Sequence, residues 1–202
     1  MNSVAIVGNG PSSKGMGAEI DICDFVVRTG VFPISSEDAG KKMSAWCWHG
    51  SPITCPGRHS EPQGEYETWF SVNTKYRKLY PGFWKHAVEM AHGHGPIRAL
   101  SDGSWTRMCN VTRLHPSTGI AAVAIAIEAL YPQQIKLFGF DATKKTATGW
   151  GDATPTIPWH DPCGHDFVVE KQILSDLLTK NTWLGRPCHT ELIWPAKPKE
   201  VT

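Results

Sequence analysis

The sequence predicts an α/β protein whose strands form a mostly parallel sheet. Residues 3–7 and 24–28 are short β-branched runs, which are typical of buried strands. The first run leads into a glycine-rich turn and a crossover segment before the second begins, and this order indicates a parallel pair of strands. With 202 residues, the chain has the length of one such domain.

Four further segments continue the alternation of strands and helices. Residues 42–48 predict a third strand, and residues 135–141 predict another central strand. Between them lies the apolar run 117–130, which Ser117 or Thr118 can open as the N-cap of a helix. Residues 166–180 predict the last helix, so helices and strands alternate along most of the chain.

The stretch of residues 50–105 departs from this alternation. Proline, glycine, histidine and aromatic residues recur there, and only residues 64–80 and 82–92 have a helical pattern. Long irregular connections in compact domains tend to be functional. We therefore expect one domain spanning residues 1–202, in which residues 50–105 form a small lid or substrate-facing insertion, and a proline-rich tail after residue 193.

The charge balance and the cysteine spacing narrow the class of protein. Lys and Arg total 20 against 19 for Asp and Glu, with no basic block, so the sequence lacks the electrostatic footprint of tight nucleic-acid binding. The six cysteines are scattered, which is typical of reduced thiols in a cytosol. No segment has the form of a signal peptide, and the longest apolar run, residues 120–127, is too short to span a bilayer. We expect a soluble cytoplasmic protein.

A glycine-rich turn follows the first predicted strand. Gly8 and Gly10 let backbone N–H groups approach phosphate oxygens without a Cβ in the way, and Asn9 and Ser12 add side-chain donors. A tight structural turn is the alternative reading. A dinucleotide fingerprint fits less well, because Ser13 stands where the third glycine is needed.

A second polar turn, residues 116–119, precedes the apolar helix. Ser117, Thr118 and Gly119 place hydroxyl and N–H groups at a predicted helix N-terminus, which is suited to an anion or a ribose. Plain N-capping of the helix explains the same residues without a ligand.

Two histidines lie in a Trp/Pro/Gly-rich loop directly before the last predicted helix. His160 and His165 are suited to bind a phosphate and to act as a general base, because imidazole titrates near neutral pH. Asp166 or Glu170 could orient an imidazole through its second nitrogen. Ordinary loop histidines, or a zinc site with Cys163, are the alternatives. The chain contains no Asp-x-Asp, so a site in which protein groups neutralise a leaving phosphate without metal is favoured.

Taken in order, these segments resemble the sialyl motifs of the sialyltransferases. The large, donor-binding motif is resembled by residues 4–12, 19–21, 24–28 and 38–42, and the small motif by residues 116–119, the following helix and residues 136–140. His160 resembles the third motif. His165 and Glu170, separated by four residues, resemble the very small motif. The beginning of the chain is also similar to bacterial sialyltransferases that act on oligosaccharide surfaces.

The resemblance implies a Rossmann-like α/β/α core of a variant GT-A type, in an inverting, metal-independent glycosyltransferase. Its donor would be a CMP-activated sugar, sialic acid or a related one, with no further cofactor. Its acceptor would be a glycan or another hydroxyl compound, a modified DNA base included. His165 would deprotonate the acceptor hydroxyl and His160 would bind the donor phosphate. The residues implied at the nucleotide are Gly8, Asn9, Gly10, Ser12, Arg28, Ser117, Thr118 and Gly119.

Two alternatives stay open at this point. Gly30 stands where sialyltransferases usually carry an asparagine that contacts the donor, and a non-catalytic nucleotide-binding module would tolerate that change. An NADP-dependent Rossmann oxidoreductase, with Arg28 reading the 2′-phosphate, is the third hypothesis. Among the transferases, a bacterial or viral cytoplasmic enzyme fits better than a Golgi one.

Overall fold

A computed structural model describes residues 1–8, 10–30, 39–48, 65–71, 81–91, 94–112, 115–140 and 167–195. The described strands are β1 Ser3–Val7, β2 Phe25–Thr29, β3 Ala45–Trp48, β4 Glu67–Phe70, β5 Ile97–Ala99, β6 Gln134–Phe138, β7 Thr182–Trp183, β8 Arg186–Pro187 and β9 Glu191–Ile193. The described helices are α1 Gly17–Asp21, α2 Pro81–Ala91, α3 Asp102–Thr112, α4 Thr118–Leu130 and α5 Phe167–Lys180, and a 3-10 turn covers Pro11–Ser13.

Seven strands form one parallel sheet in the order β5-β4-β3-β2-β1-β6-β9. The chain builds outward from β1 to β5 on one side and then returns to place β6 and β9 on the other side. The order therefore reverses between β1 and β6. The predicted α/β class and parallel sheet are confirmed, and β7 and β8 form a separate antiparallel pair.

Both faces of the sheet are covered because its strands are apolar on both sides, as central parallel strands must be. Val4 and Ile6 of β1 face the helices α4 and α5, whereas Ala5 and Val7 face the side of α1. Helix α4 is buried at every residue from 120 to 126, which explains why its sequence is apolar all round. The expected α/β/α layering is confirmed.

The expected helix over residues 64–80 is wrong in its described part, because Glu67–Phe70 forms β4. Trp69 packs in the core cluster on one face of the sheet, and Phe70 packs in an aromatic cluster on the other face. This two-residue alternation of burial requires a strand. Strands β4 and β5 show that the described parts of residues 50–105 include strands of the main sheet. None of the described helices is long and apolar enough to cross a lipid bilayer.

Candidate functional site

The carboxyl ends of β1 and β6 meet through their backbones. The N–H of Gly8 donates to the carbonyl of Phe138 at 2.7 Å, and the N–H of Gly10 donates to the carbonyl of Gly139 at 3.0 Å. A Cβ on Gly8 would lie 2.6 Å from the Gly139 oxygen, and a Cβ on Gly139 would lie 2.5 Å from the Gly8 oxygen. Only glycine allows this approach, and Gly139 also has a φ of 70°.

The glycine-rich turn therefore contributes differently from what the sequence indicates. The N–H groups of Gly8 and Gly10 both donate to carbonyls of the protein, so neither hydrogen is available to a phosphate. Ser13 stabilises the turn, because its N–H and its hydroxyl both donate to the Gly10 carbonyl, at 3.2 and 2.9 Å. What glycine supplies here is a low backbone surface at the carboxyl ends of β1 and β6, and we call this place the crevice.

Phe140 joins this turn to the N-terminus of α4. A Cβ on Gly8 would lie 3.4 Å from Cδ2 of its ring, and a Cβ on Gly119 would lie 2.9 Å from its Cε1. The ring thus packs between the turn after β1 and the first turn of α4. The first N–H groups of a helix have no carbonyl acceptor within the helix, so those of Thr118 and Gly119 give this edge of the sheet a partial positive charge.

The N-terminus of α4 carries a protein carboxylate. Ser117 is the N-cap, as expected, and its Oγ accepts from the Ile120 N–H at 3.4 Å. The N–H and the hydroxyl of Ser117 donate to the two carboxylate oxygens of Glu170, each at 2.6 Å. Glu170 lies in the first turn of α5 and is only 5% exposed. A carboxylate at a helix N-terminus is stabilised by the helix dipole, so this contact ties the beginning of α5 to the beginning of α4.

Arg28 is buried and bound to backbone. The residue is 1% exposed. Its guanidinium donates from Nη2 to the carbonyls of Ala39 and Gly40, at 2.8 and 3.0 Å, and from Nε to that of Lys42, at 3.1 Å. Burial lowers the pKa of Arg28, and the neighbouring Asp21 opposes that shift. These contacts stabilise the segment that leads into β3, and they leave little support for Arg28 reading the 2′-phosphate of NADP.

Asp21 completes this arrangement from the other side of the same segment. Its carboxylate accepts the N–H of Lys41 with both oxygens, at 3.0 and 2.9 Å, and the N–H of Lys42 at 2.9 Å. Burial alone would raise the pKa of Asp21, but the two N–H groups and the charge of Arg28 outweigh it, so the pKa lies below its usual value. We refer to Asp21, Arg28 and residues 39–42 as the β3 clamp.

The ends of β2 and β3 also reach this edge of the sheet. The Gly30 N–H donates to the Cys47 carbonyl, and the indole Nε1 of Trp46 donates to the Gly30 carbonyl, both at 2.7 Å. The Cys47 Sγ lies 3.9 Å from the Thr118 carbonyl oxygen, so β3 contacts the first turn of α4. Burial raises the pKa of the Cys47 thiol, which makes it an inert packing group rather than a nucleophile.

The structure thus brings together Gly8, Gly10, Ser117, Thr118, Gly119 and Glu170 at one edge, with Ser12 in the adjoining 3-10 turn. Asn9, His160, His165 and Asp166 lie outside the described residues, and so does Cys163 of the zinc alternative. Gly139 and Phe140 belong to residues 136–140, which resemble the small motif, but neither was predicted to have a role at the site. A glycine directly after a buried strand, as at Gly8, is the signal that could have assigned one. In the part of the chain that the structure covers, no three His, Cys, Asp or Glu side chains are placed to hold a metal ion.

No known protein-family profile and no curated protein sequence matches the chain. Solved structures do match it. A mammalian sialyltransferase superposes with a TM-score of 0.59 at 20% identity, over 95% of this chain and 68% of the other. The structure of a mammalian sialyltransferase in complex with Gal-β-1-3GalNAc-ortho-nitrophenol gives 0.57 at 18%, over the same shares.

A bacterial enzyme gives a similar result. The sialyltransferase CstII from Campylobacter jejuni, in complex with the substrate analogue CMP-3FNeuAc, superposes with a TM-score of 0.55 at 18% identity, over 96% of this chain and 80% of the other. At these identities the similarity concerns the fold. The match extends over 95–96% of the chain, and the fold is a sialyltransferase-like fold.

Proposed function

We propose that this protein is an inverting, metal-independent glycosyltransferase that transfers sialic acid or a related sugar from a CMP-activated donor to an acceptor hydroxyl. The observation that carries the proposal is the crevice between β1 and β6. There the strand order reverses, and parallel α/β sheets bind nucleotides at such points, outside the carboxyl ends of the strands. The sialyltransferase-like fold supports the same reaction class.

The donor phosphate would bind at the N-terminus of α4. The N–H groups of Thr118 and Gly119 would donate to it there, although the Glu170 carboxylate at Ser117 already offsets part of the helix dipole. The tight contact between Gly8 and Gly139 keeps side chains out of the crevice, so the nucleotide can approach the backbone closely. Ser117 acts indirectly in this proposal, because Glu170 already binds its N–H and its hydroxyl.

The reaction would be a single displacement. The acceptor oxygen attacks the anomeric carbon, the bond from that carbon to the phosphate oxygen breaks, and the acceptor proton passes to the imidazole of His165. CMP leaves with the electron pair, and His160 and the helix N-terminus stabilise its phosphate. His165 is two residues before α5, so the chain keeps it within about 8 Å of the first α5 residue. The hydrogen bonds between Glu170 and Ser117 therefore limit the positions that His165 can occupy.

A comparison of His165→Ala with His189→Ala tests the proposal. His189 lies between β8 and β9, where β9 begins at the opposite edge of the sheet, and serves as the matched control. We expect wild type and the control to release CMP from CMP-sialic acid, and His165→Ala to do so about 10²–10⁴-fold more slowly with an unchanged melting temperature. CMP binding without any release or transfer by the wild type would instead support a non-catalytic nucleotide-binding module. Equal rates in both variants would contradict the assignment of His165.

A further inference from the structure

We propose that the phenyl ring of Phe140 is the surface on which the nucleobase of the donor stacks. The inference rests on the proposed function and adds a nucleotide-binding residue to it. Phe140 comes two residues after the end of β6, at the carboxyl edge of the sheet. Its side chain is half-buried and packs against the core cluster that includes α4.

The backbone at Gly139 turns the Phe140 ring toward α4. Phe138, the last residue of β6, is buried in the cluster on the α1 side of the sheet. In a regular strand, residue 140 would face the same side as residue 138. Gly139 has a φ of 70° and ends the strand, and Phe140 packs on the α4 side instead. The close approach of Gly139 to Gly8 therefore also decides where this ring lies.

Two glycines make room for the ring at the proposed nucleotide site. A Cβ on Gly119 would lie 2.9 Å from Cε1 and 3.2 Å from Cζ of Phe140, and a Cβ on Gly8 would lie 3.4 Å from Cδ2. Because Cδ2 and Cε1 are on opposite sides of a phenyl ring, the ring spans from the turn after β1 to the first turn of α4. The N–H of Gly119 is one of the two that would bind the donor phosphate, so Phe140 forms a wall beside that phosphate.

The chemistry of this wall assigns it to the base of the nucleotide. A phenyl ring has no hydrogen-bond donor, and the face of its π-system is negative, so it does not bind a phosphate. A pyrimidine base is planar, and stacking on an aromatic side chain is a general way in which proteins bind bases. Trp48 and Phe70 end β3 and β4 at the same edge, but each is at most 1% exposed within the aromatic cluster on the other face. Phe140 is half-buried and contacts the site.

Phe25 provides the matched control. It is also a half-buried phenylalanine that packs against the same core cluster, where its ring stacks on Trp69 with centroids 5.8 Å apart. Phe25 is the first residue of β2, so it lies at the amino edge of the sheet, opposite the crevice. Phe25→Leu therefore removes the same kind of ring from the same kind of packing site, away from the nucleotide.

Two measurements test the inference. The first is calorimetric titration of wild type, Phe140→Leu and Phe25→Leu with CMP, since leucine keeps an apolar side chain and removes the aromatic face. We expect Phe140→Leu to bind CMP about 5–20-fold more weakly, near the lower end of what stacking on one aromatic ring contributes, and the control to bind CMP as the wild type does. The second is NMR spectroscopy of the wild type with isotope-labelled phenylalanine and CMP. We expect nuclear Overhauser effects between the assigned Phe140 ring and the ring protons of cytosine.

Three results would overturn the inference. An unchanged affinity of Phe140→Leu for CMP would show that the ring contributes nothing to binding. An equal loss in Phe25→Leu would mean that the effect is a general one on the core. Nuclear Overhauser effects from Phe140 to the ribose alone, or to no part of CMP, would place the base elsewhere, and this measurement decides the question even if Phe140→Leu does not fold. CMP bound without contact to Phe140 would remove this inference alone, whereas a wild type that binds no CMP would also contradict the proposed function.

Discussion

The bond between Ser117 and Glu170 allows the sharpest test of how the site is held together. The N–H and the hydroxyl of Ser117 each donate to the buried carboxylate of Glu170 at 2.6 Å, and the two residues are 53 positions apart in sequence. Hydrogen bonds to charged groups contribute about 1.5–3 kcal/mol each. We therefore expect Glu170→Ala to lower the free energy of unfolding by about 3–5 kcal/mol.

A double-mutant cycle isolates the contact from its surroundings. We expect Ser117→Ala to cost about 2–3 kcal/mol, from one charged hydrogen bond and part of the N-cap, and Glu170→Gln to cost a similar amount. Because both variants disrupt the bond between the Ser117 hydroxyl and the carboxylate, the double variant should cost less than the sum, with a coupling energy of at least about 1 kcal/mol. Guanidinium unfolding followed by circular dichroism measures all four proteins.

The exposed pair Gln134 and Glu191 is the control cycle. Its side chains form one hydrogen bond of 2.8 Å at the surface, and such contacts usually contribute less than about 0.5 kcal/mol. Additive losses in the Ser117 and Glu170 cycle, within about 0.5 kcal/mol, would refute the claim that this contact holds α4 and α5 together.

Three other predictions concern the crevice, the β3 clamp and acid stability. Gly139→Ala should lower the free energy of unfolding by about 2 kcal/mol more than Gly185→Ala, because both glycines have positive φ but only Gly139 would place a Cβ against backbone; equal losses in urea melts would count against the contact. Arg28→Met should cost about 3–5 kcal/mol and raise the pKa of Asp21, because it removes a neighbouring positive charge while the Lys41 and Lys42 N–H groups still lower that pKa. NMR titration of wild type and variant measures the change, and an unchanged pKa of Asp21 would contradict the clamp. Burial alone would raise the pKa of Glu67, but its hydrogen bonds from Arg98 and Trp69 outweigh it, so the pKa lies below its ordinary 4.5. The stabilisation by this carboxylate is therefore complete above about pH 4.5 and is lost as the pH falls through the native pKa. In Glu67→Gln the free energy of unfolding should fall less steeply with decreasing pH in the acid range. The same pH dependence in variant and wild type would contradict this prediction.

The long elements of the fold could be predicted because their signals are local. Strand β1 is a run of apolar and β-branched residues, and β6 carries the apolar residues Ile135, Leu137 and Phe138. Helix α4 combines an apolar run with a serine N-cap that the structure confirms. The short strands carry no such signal. Strand β5 has three residues and β7 and β8 have two each, which is too few for a period to be read. The mistaken helix at β4 has the same origin, since its alternation of Trp69 and Phe70 is decided by neighbours distant in sequence.

The residues of the candidate site also divide into those that local sequence patterns indicate and those that depend on contacts distant in sequence. Gly8, Ser117 and Glu170 could be selected from the sequence because turn glycines, N-caps and motif spacing are local or resemble a known family. The residues that bind these side chains could not be predicted from the sequence. Nothing in the sequence indicates that Glu170 binds the N-cap residue Ser117, or that Arg28 binds three backbone carbonyls. Those choices depend on which segments the sheet order brings together.

The most direct test of the account is a calorimetric titration of the purified protein with CMP, without added metal, beside UDP, GDP and NADP. The account predicts selective binding of CMP, weakened in Gly119→Val, because a side chain there would collide with Phe140 and obstruct the N-terminus of α4. Binding of UDP or GDP alone would keep a transferase but replace the donor. Binding of NADP alone, or of no nucleotide at all, would contradict the proposed function.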